Sequence, residues 1–123
     1  MARIRVIVAD NHPVFREGLC RLLDDEQEIE VVGKAANHEE VVNLAKTLKP
    51  DVAIVDIVTP VLAGADATKQ VKKISPQTAV LMIGDYNSQT HILAALRAGA
   101  AGFLTRETPL RDLASAIRLA YQG

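Results

Sequence analysis

The chain has 123 residues, 49% of them apolar and only 3% aromatic, with 14 Lys and Arg against 15 Asp and Glu for a formal charge of −1. That length suits one domain with a core of Val, Ile, Leu and Ala, and the near-neutral charge excludes an electrostatic footprint for nucleic acid. No apolar run approaches the roughly 20 residues of a membrane span, and Met1-Ala2-Arg3 enters a strand-like run directly, so a cytoplasmic location is the default expectation. In chain order, the first element is the apolar run Ile4 to Ala9, which reads as a strand. A helix follows, opened by Pro13 at its first position and carrying the stripe Phe15, Leu19, Leu22 and Leu23. Cys20 falls within this apolar pattern, cannot form an internal disulfide and reads as a buried thiol. Ile29 to Val32 is a weaker strand. Val41, Leu44, Ala45 and Leu48 mark a second helix, with Asn37 as its cap and Glu40 three residues on, as in a capping box. Val52 to Val55 is a third strand, followed by a helix from about Gly64 to Ile74, with Pro76 beyond its end. Ala79 to Ile83 is a fourth strand; Ile92, Leu93 and Leu96 define the next helix, which closes near Gly99. Gly102 to Leu104 is the last strand, and Thr108-Pro109 caps a final helix carrying Leu113, Ile117 and Ala120.

The strand runs do not alternate apolar with polar, which is how strands buried on both faces read. Five strand–helix units in strict alternation predict a flavodoxin-like (βα)5 three-layer sandwich. Its five-stranded parallel sheet takes the order 2-1-3-4-5 and covers residues 1–123 as one domain. Ligands of such sheets bind at the carboxyl ends of the strands, where the strand order reverses, between strands one and three. Asp10 and Asp56 end those strands, so two carboxylates converge there. The plainer reading is that each caps the loop after its strand. Paired carboxylates suit a hard cation such as Mg2+, which could bring a phosphoryl group to one of them to form an acyl phosphate.

Three segments carry a family resemblance. Ile4-Arg5-Val6-Ile7-Val8-Ala9-Asp10-Asn11-His12-Pro13 with Arg16-Glu17-Gly18-Leu19 resembles the opening of a two-component response-regulator receiver domain, of the subfamily with a NarL/LuxR (FixJ)-type helix-turn-helix output. Pro50-Asp51-Val52 through Asp56-Ile57, Pro60 and Gly64 resembles the phosphoacceptor strand and loop; Ala94 to Leu104 resembles the fourth helix and fifth strand. The resemblance implies that Asp56 is the phosphoacceptor. It implies that Asp10, Asp56 and the backbone carbonyl of Val58 ligate Mg2+, and that positions 84, 103 and 106 contact phosphate or report the switch. It further implies a sensor histidine kinase as partner and a possible homodimer. DNA would be bound only by an output domain following Gly123, and no membrane is involved.

The chain departs from the pattern in the pocket itself. The second acidic position is Asn11, which offers a carbonyl oxygen without charge, a weakened ligand that lowers the expected Mg2+ affinity. The hydroxyl position holds Gly84, followed by Asp85; the lysine position holds Arg106, and the switch aromatic is Phe103. Arg binds phosphate well but is bulkier than Lys and not interchangeable with it. The joint change at 11, 84 and 106 points to an atypical receiver, weakly phosphorylated or controlled without phosphorylation by a partner protein or small ligand. The chain reads as a signalling module and not an enzyme. A haloacid dehalogenase-type phosphatase needs an acid at Val58, a cobalamin domain needs Gly at Phe15, and a flavodoxin needs a hydroxyl-rich phosphate loop where Asn11-His12-Pro13-Val14-Phe15 stands. His12 reads as a solvent-exposed loop residue; His38 and His91 lie at helix starts, with no ligand spacing linking the three. Lys72-Lys73 and Arg3-Arg5 read as charge on solvated faces.

Overall fold

The computed structural model describes residues 3–56, 61–84 and 89–123. The elements run β1 (Ile4–Ala9), α1 (Pro13–Asp24), β2 (Ile29–Ala35), α2 (His38–Leu48), β3 (Val52–Asp56), α3 (Val61–Ile74), β4 (Ala79–Gly84), α4 (Gln89–Ala98), β5 (Gly102–Thr105) and α5 (Leu110–Gln122). The sheet is parallel throughout, in the order β2-β1-β3-β4-β5, as the alternation of apolar runs predicts. No helix among the described residues is long and apolar enough to cross a membrane.

The central strands are buried on both faces because successive residues feed two cores. Val6, Val8, Val52, Ile54, Leu81 and Ile83 meet α1 and α5 on one face. Ile7, Ala9, Ala53, Val55, Val80 and Met82 meet α2, α3 and α4 on the other. The period of two therefore sorts side chains between two apolar layers, and neither layer faces water.

β2 extends three residues past the apolar run that predicts it. Gly33 permits this, since a Cβ there would sit 3.2 Å from both Ile7 Cγ2 and Leu44 Cδ1. The β1–β2 register shifts between Val6 and Ile7, before Ile7 pairs with Gly33. Asn37 caps α2 as expected, its Oδ1 accepting from the Glu40 amide at 2.9 Å. Glu40 reaches back one residue further than a capping box requires and accepts from the Ala36 amide at 2.9 Å. α3 begins at Val61, three residues before the expected start. α5 begins after Pro109, which occupies the cap position and makes no side-chain cap hydrogen bond, so Thr108 is not the cap.

Two helical stripes differ from their patterns. α1 buries Leu19, Cys20 and Leu23, while Leu22 is 49% exposed and lines a cleft toward α5. α4 buries Ala95 and Ala98, while Leu93 and Leu96 turn outward. Alanines bring this helix close to its neighbours, so small residues do the packing and the larger ones are left outside. Arg5 is not a solvated charge: its guanidinium donates to the Leu48 carbonyl at 2.8 Å, satisfying the end of α2, and its amide donates to Asp51. Lys72 likewise donates to the carbonyls of Pro76 and Thr78, each at 2.8 Å.

Burial pushes the Cys20 thiol up to about 11, so at neutral pH it is neither ionised nor accessible. A disulfide-exchange reagent at about pH 8 is expected to leave Cys20 unmodified in the folded protein and to label it fully in guanidinium; rapid native labelling would contradict this. Asn37→Ala is expected to lower stability by about 1 kcal/mol, read as a shift of the urea midpoint at unchanged slope.

Candidate functional site

β1 and β3 are parallel neighbours, with Ala9 paired to Val55. The next residues, Asp10 and Asp56, therefore stand side by side at the carboxyl edge of the sheet. Each is only 2% exposed. Two carboxylates this deep would repel each other and pay a desolvation penalty unless cations compensate them. Arg106 supplies one positive charge shared between them. Its amide donates to the Gly84 carbonyl at 2.9 Å, which fixes the end of β5 against β4. Its side chain then reaches past the end of β4, where Gly84 contributes no side chain. Nη1 lies 2.5 Å from Asp10 Oδ2 and Nη2 lies 3.1 Å from Asp56 Oδ1. One planar fork thus bridges both acids, a geometry that a lysine ammonium does not reproduce.

The guanidinium is held from a second side. The Phe15 ring, from the first turn of α1, lies under Arg106 with its centroid 4.5 Å from Cζ. Asp10 also organises its own loop: Oδ1 accepts from the His12 amide and faces His12 Nδ1, both at 2.8 Å. Arg16 donates to the Asp10 carbonyl at 2.8 Å. His12 is half exposed, as expected, yet its ring is part of the site: Nδ1 is 3.7 Å from Asp56 Oδ2. His38, read as an isolated helix start, donates from Nε2 to the Asp56 carbonyl at 2.8 Å, which places its proton on Nε2. Neither histidine has a spacing in the sequence that marks it; crossover connections bring both to the end of β3. Phe15 is predictable as apolar, but its contact with Arg106 is not, because 91 positions separate the two in the chain.

The other predicted positions divide. Gly84 is buried at the end of β4, and Phe103 is half-buried against the α2–α4 core. Asn11 is exposed. Val58 and Asp85 lie outside the described residues. Asp10, His12 and Asp56 each offer one ligand atom within 4.8 Å of the others. This set does not fit a resident Mg2+. A hard cation of this size wants oxygen donors in an octahedron. Here one oxygen of each acid already carries the guanidinium, the other oxygen of Asp10 carries His12, and the third donor is a nitrogen.

Comparison with known proteins gives a consistent picture. The family model described as "Response regulator receiver domain" matches residues 6–118. The chain is 32% identical to an uncharacterized transcriptional regulatory protein YxjL of Bacillus subtilis (strain 168), covering 98% of this chain and 56% of that protein. It is 36% identical to the response regulator GacA of Pseudomonas viridiflava, over 98% of this chain and 56% of the relative. The chain thus spans about half the length of the curated relatives it matches. Among solved structures, the signal receiver domain of the putative response regulator NarL from Mycobacterium tuberculosis superposes with a TM-score of 0.93 at 33% identity, covering 100% of this chain and 99% of that one.

Removing Arg106 strands two buried carboxylates. Arg106→Ala is expected to cost about 3 kcal/mol in urea unfolding. Adding Asp10→Asn is expected to recover part of that loss, because it removes one orphaned charge; additive losses in the double variant would show that the bridge is not the cause.

Proposed function

We propose that this chain, which belongs to the response regulator receiver family, is a receiver whose Asp56 is at most a weak phosphoacceptor, because Arg106 already holds the two carboxylates of its pocket. Receiver domains as a family bind Mg2+ at an acidic site, and response regulators work with sensor histidine kinases and DNA-binding output domains. The position of Asp56, at the end of β3 and at the point where strand order reverses, supports reading it as the phosphoacceptor.

A carboxylate nucleophile needs a lone pair turned toward the donor and help for the charge on the transferring group. The bridging guanidinium stabilises Asp56 as an anion and makes it a poorer nucleophile. The pocket also lacks one helper: Gly84 has no hydroxyl to hold a phosphoryl oxygen. Arg106 could pair with a phosphoryl group, but only by releasing Asp10 and Asp56. Phosphorylation would therefore break an existing bridge before making its replacement. The same observation favours an input other than phosphoryl transfer, from a partner protein or a small ligand.

The remaining assignments follow the family. The parent protein is cytoplasmic and signals without catalysis. A sensor histidine kinase addresses it, it pairs with a second copy, and an output domain after Gly123 binds DNA for transcriptional control. The relatives are transcriptional and response regulators about twice the length of this chain, which supports that reading.

The experiment is incubation with acetyl phosphate and millimolar Mg2+, read by intact mass. Little modification of Asp56 is expected. A variant combining Asn11→Asp, Gly84→Thr and Arg106→Lys is expected to react on the order of a hundredfold faster. Asp56→Asn in that background abolishes the gain. Rapid stoichiometric modification of the unaltered chain would overturn the reading, as would Mg2+ binding at micromolar concentration in calorimetry.

A further inference from the structure

Arg106 faces two environments. One side of its guanidinium holds Asp10 and Asp56; the ring of Phe15 covers another. Phe15 and Arg106 also form part of a separate cavity, a groove of about 260 Å3 between α1 and α5. Ile83 is at its base, Leu19 and Leu22 stand on the α1 side, and Leu110 and Leu113 on the α5 side. Arg106 is the one charged residue among those lining it, and Thr105 and Thr108 supply the hydroxyls. An apolar groove with one cation and two hydroxyl residues in its lining has the composition of a small-molecule site.

Three further observations mark it as a place where something binds. Val14 at its mouth is 88% exposed and Leu22 is 49% exposed, so apolar surface there faces water. Gly18 lies on the groove wall in the middle of α1, and a Cβ placed on it would meet nothing within 4 Å. A glycine inside a helix costs about 1 kcal/mol relative to alanine, and here no neighbour within the chain requires it. The groove is also continuous with the ion-pair site through one residue, so an occupant that touches Phe15 and Arg106 touches the latch on Asp10 and Asp56.

We propose that this groove binds a small amphipathic carboxylate, with its hydrocarbon body along Phe15, Leu19 and Leu22 and its carboxylate on Arg106, drawing the guanidinium away from Asp10 and Asp56. The class follows from charge and size. A cation in the lining selects an anion, and a guanidinium fork selects a planar carboxylate that can meet two N–H groups at once. At about 30 Å3 for each water-sized group, the volume holds roughly nine such groups, the size of a medium-chain fatty acid or a small aryl carboxylate. Binding is a competition for Arg106, so occupancy of the groove and the state of the acidic pocket are coupled in both directions. The gating half of this inference rests on the reading of Arg106 as the pocket's latch; the groove itself does not.

The test is an amide and side-chain NMR titration of the intact 123-residue chain with sodium octanoate. Octanol serves as the uncharged control and acetate as the headgroup control. Octanoate is expected to produce saturable shifts at Val14, Gly18, Leu22 and Leu110, with a Kd of about 1 mM or tighter. The Asp10 and Asp56 carboxyl signals should move along the same isotherm. Octanol is expected to bind about tenfold more weakly and to leave those carboxyl signals in place; acetate should do neither. Gly18→Leu, at a position where an added Cβ meets nothing within 4 Å, puts a side chain into the groove and is expected to abolish the shifts while the spectrum elsewhere stays that of the folded chain. Absence of saturable groove shifts, equal affinity for octanol, or an unimpaired Gly18→Leu variant would each overturn the site. Groove binding with unmoved Asp10 and Asp56 signals would overturn the gating. The acetyl phosphate measurement is made without octanoate, so its failure is separate from either result.

Discussion

Two carboxylates buried at the edge of a parallel sheet are unstable company, and the arrangement around them is a response to that fact. Asp10 and Asp56 converge because β1 and β3 are neighbours and each ends in an acid. Taking both charges out of water requires a permanent countercharge. Arg106 provides it with one planar fork that reaches both, Phe15 supports the fork from below, and His12 adds a further nitrogen at Asp10. One of the two carboxylate charges is thereby met within the chain itself.

That pairing bears on how the proposed function reads the pocket. A receiver that uses Mg2+ keeps its acids available to a cation and recruits it when a phosphoryl donor arrives. Here position 11 carries no charge, and Arg106 supplies one positive charge to the two acids that remain. The guanidinium differs from an ammonium in presenting two N–H edges of one rigid plane, one to each acid. Gly84 fits the same logic, since Arg106 passes the end of β4 at the position where the family places a side-chain hydroxyl. The three positions meet in one pocket, where Arg106 pairs with both acids beside a residue that has no side chain.

The position of Arg106 at the end of β5 has a second consequence. β5 precedes α5, and α5 faces α1 across a groove that opens beside the same guanidinium. The chemistry of the acidic pocket and the occupancy of an apolar cleft therefore share one side chain. Under the proposed function, an equilibrium must be biased by something other than phosphoryl transfer. A cation shared between two sites is a compact way to supply one.

The architecture was legible in the sequence because it depends on local pattern. Unalternated Val and Ile runs separated by helical periods lead to a two-faced parallel sheet, and sheet topology leads to Asp10 and Asp56 at the switch point. Asn37 as a cap and Gly99 as a helix end follow from single-residue backbone chemistry. Other features required the tertiary structure. The Leu22, Leu93 and Leu96 positions fit an apolar stripe but stay outside, because which part of a stripe is buried depends on how close the neighbouring helix lies. Arg5 and Lys72 look like surface charge, yet they tie carbonyls that only the folded chain brings near. His38 and Phe15 carry no motif; crossovers place one on the Asp56 carbonyl and the other under Arg106. The residue types at positions 11, 84 and 106 announced an unusual pocket. That the cation at 106 bridges both acids was decided by the fold, since an ion pair across most of the chain has no local signature and forms only where separate strands end together.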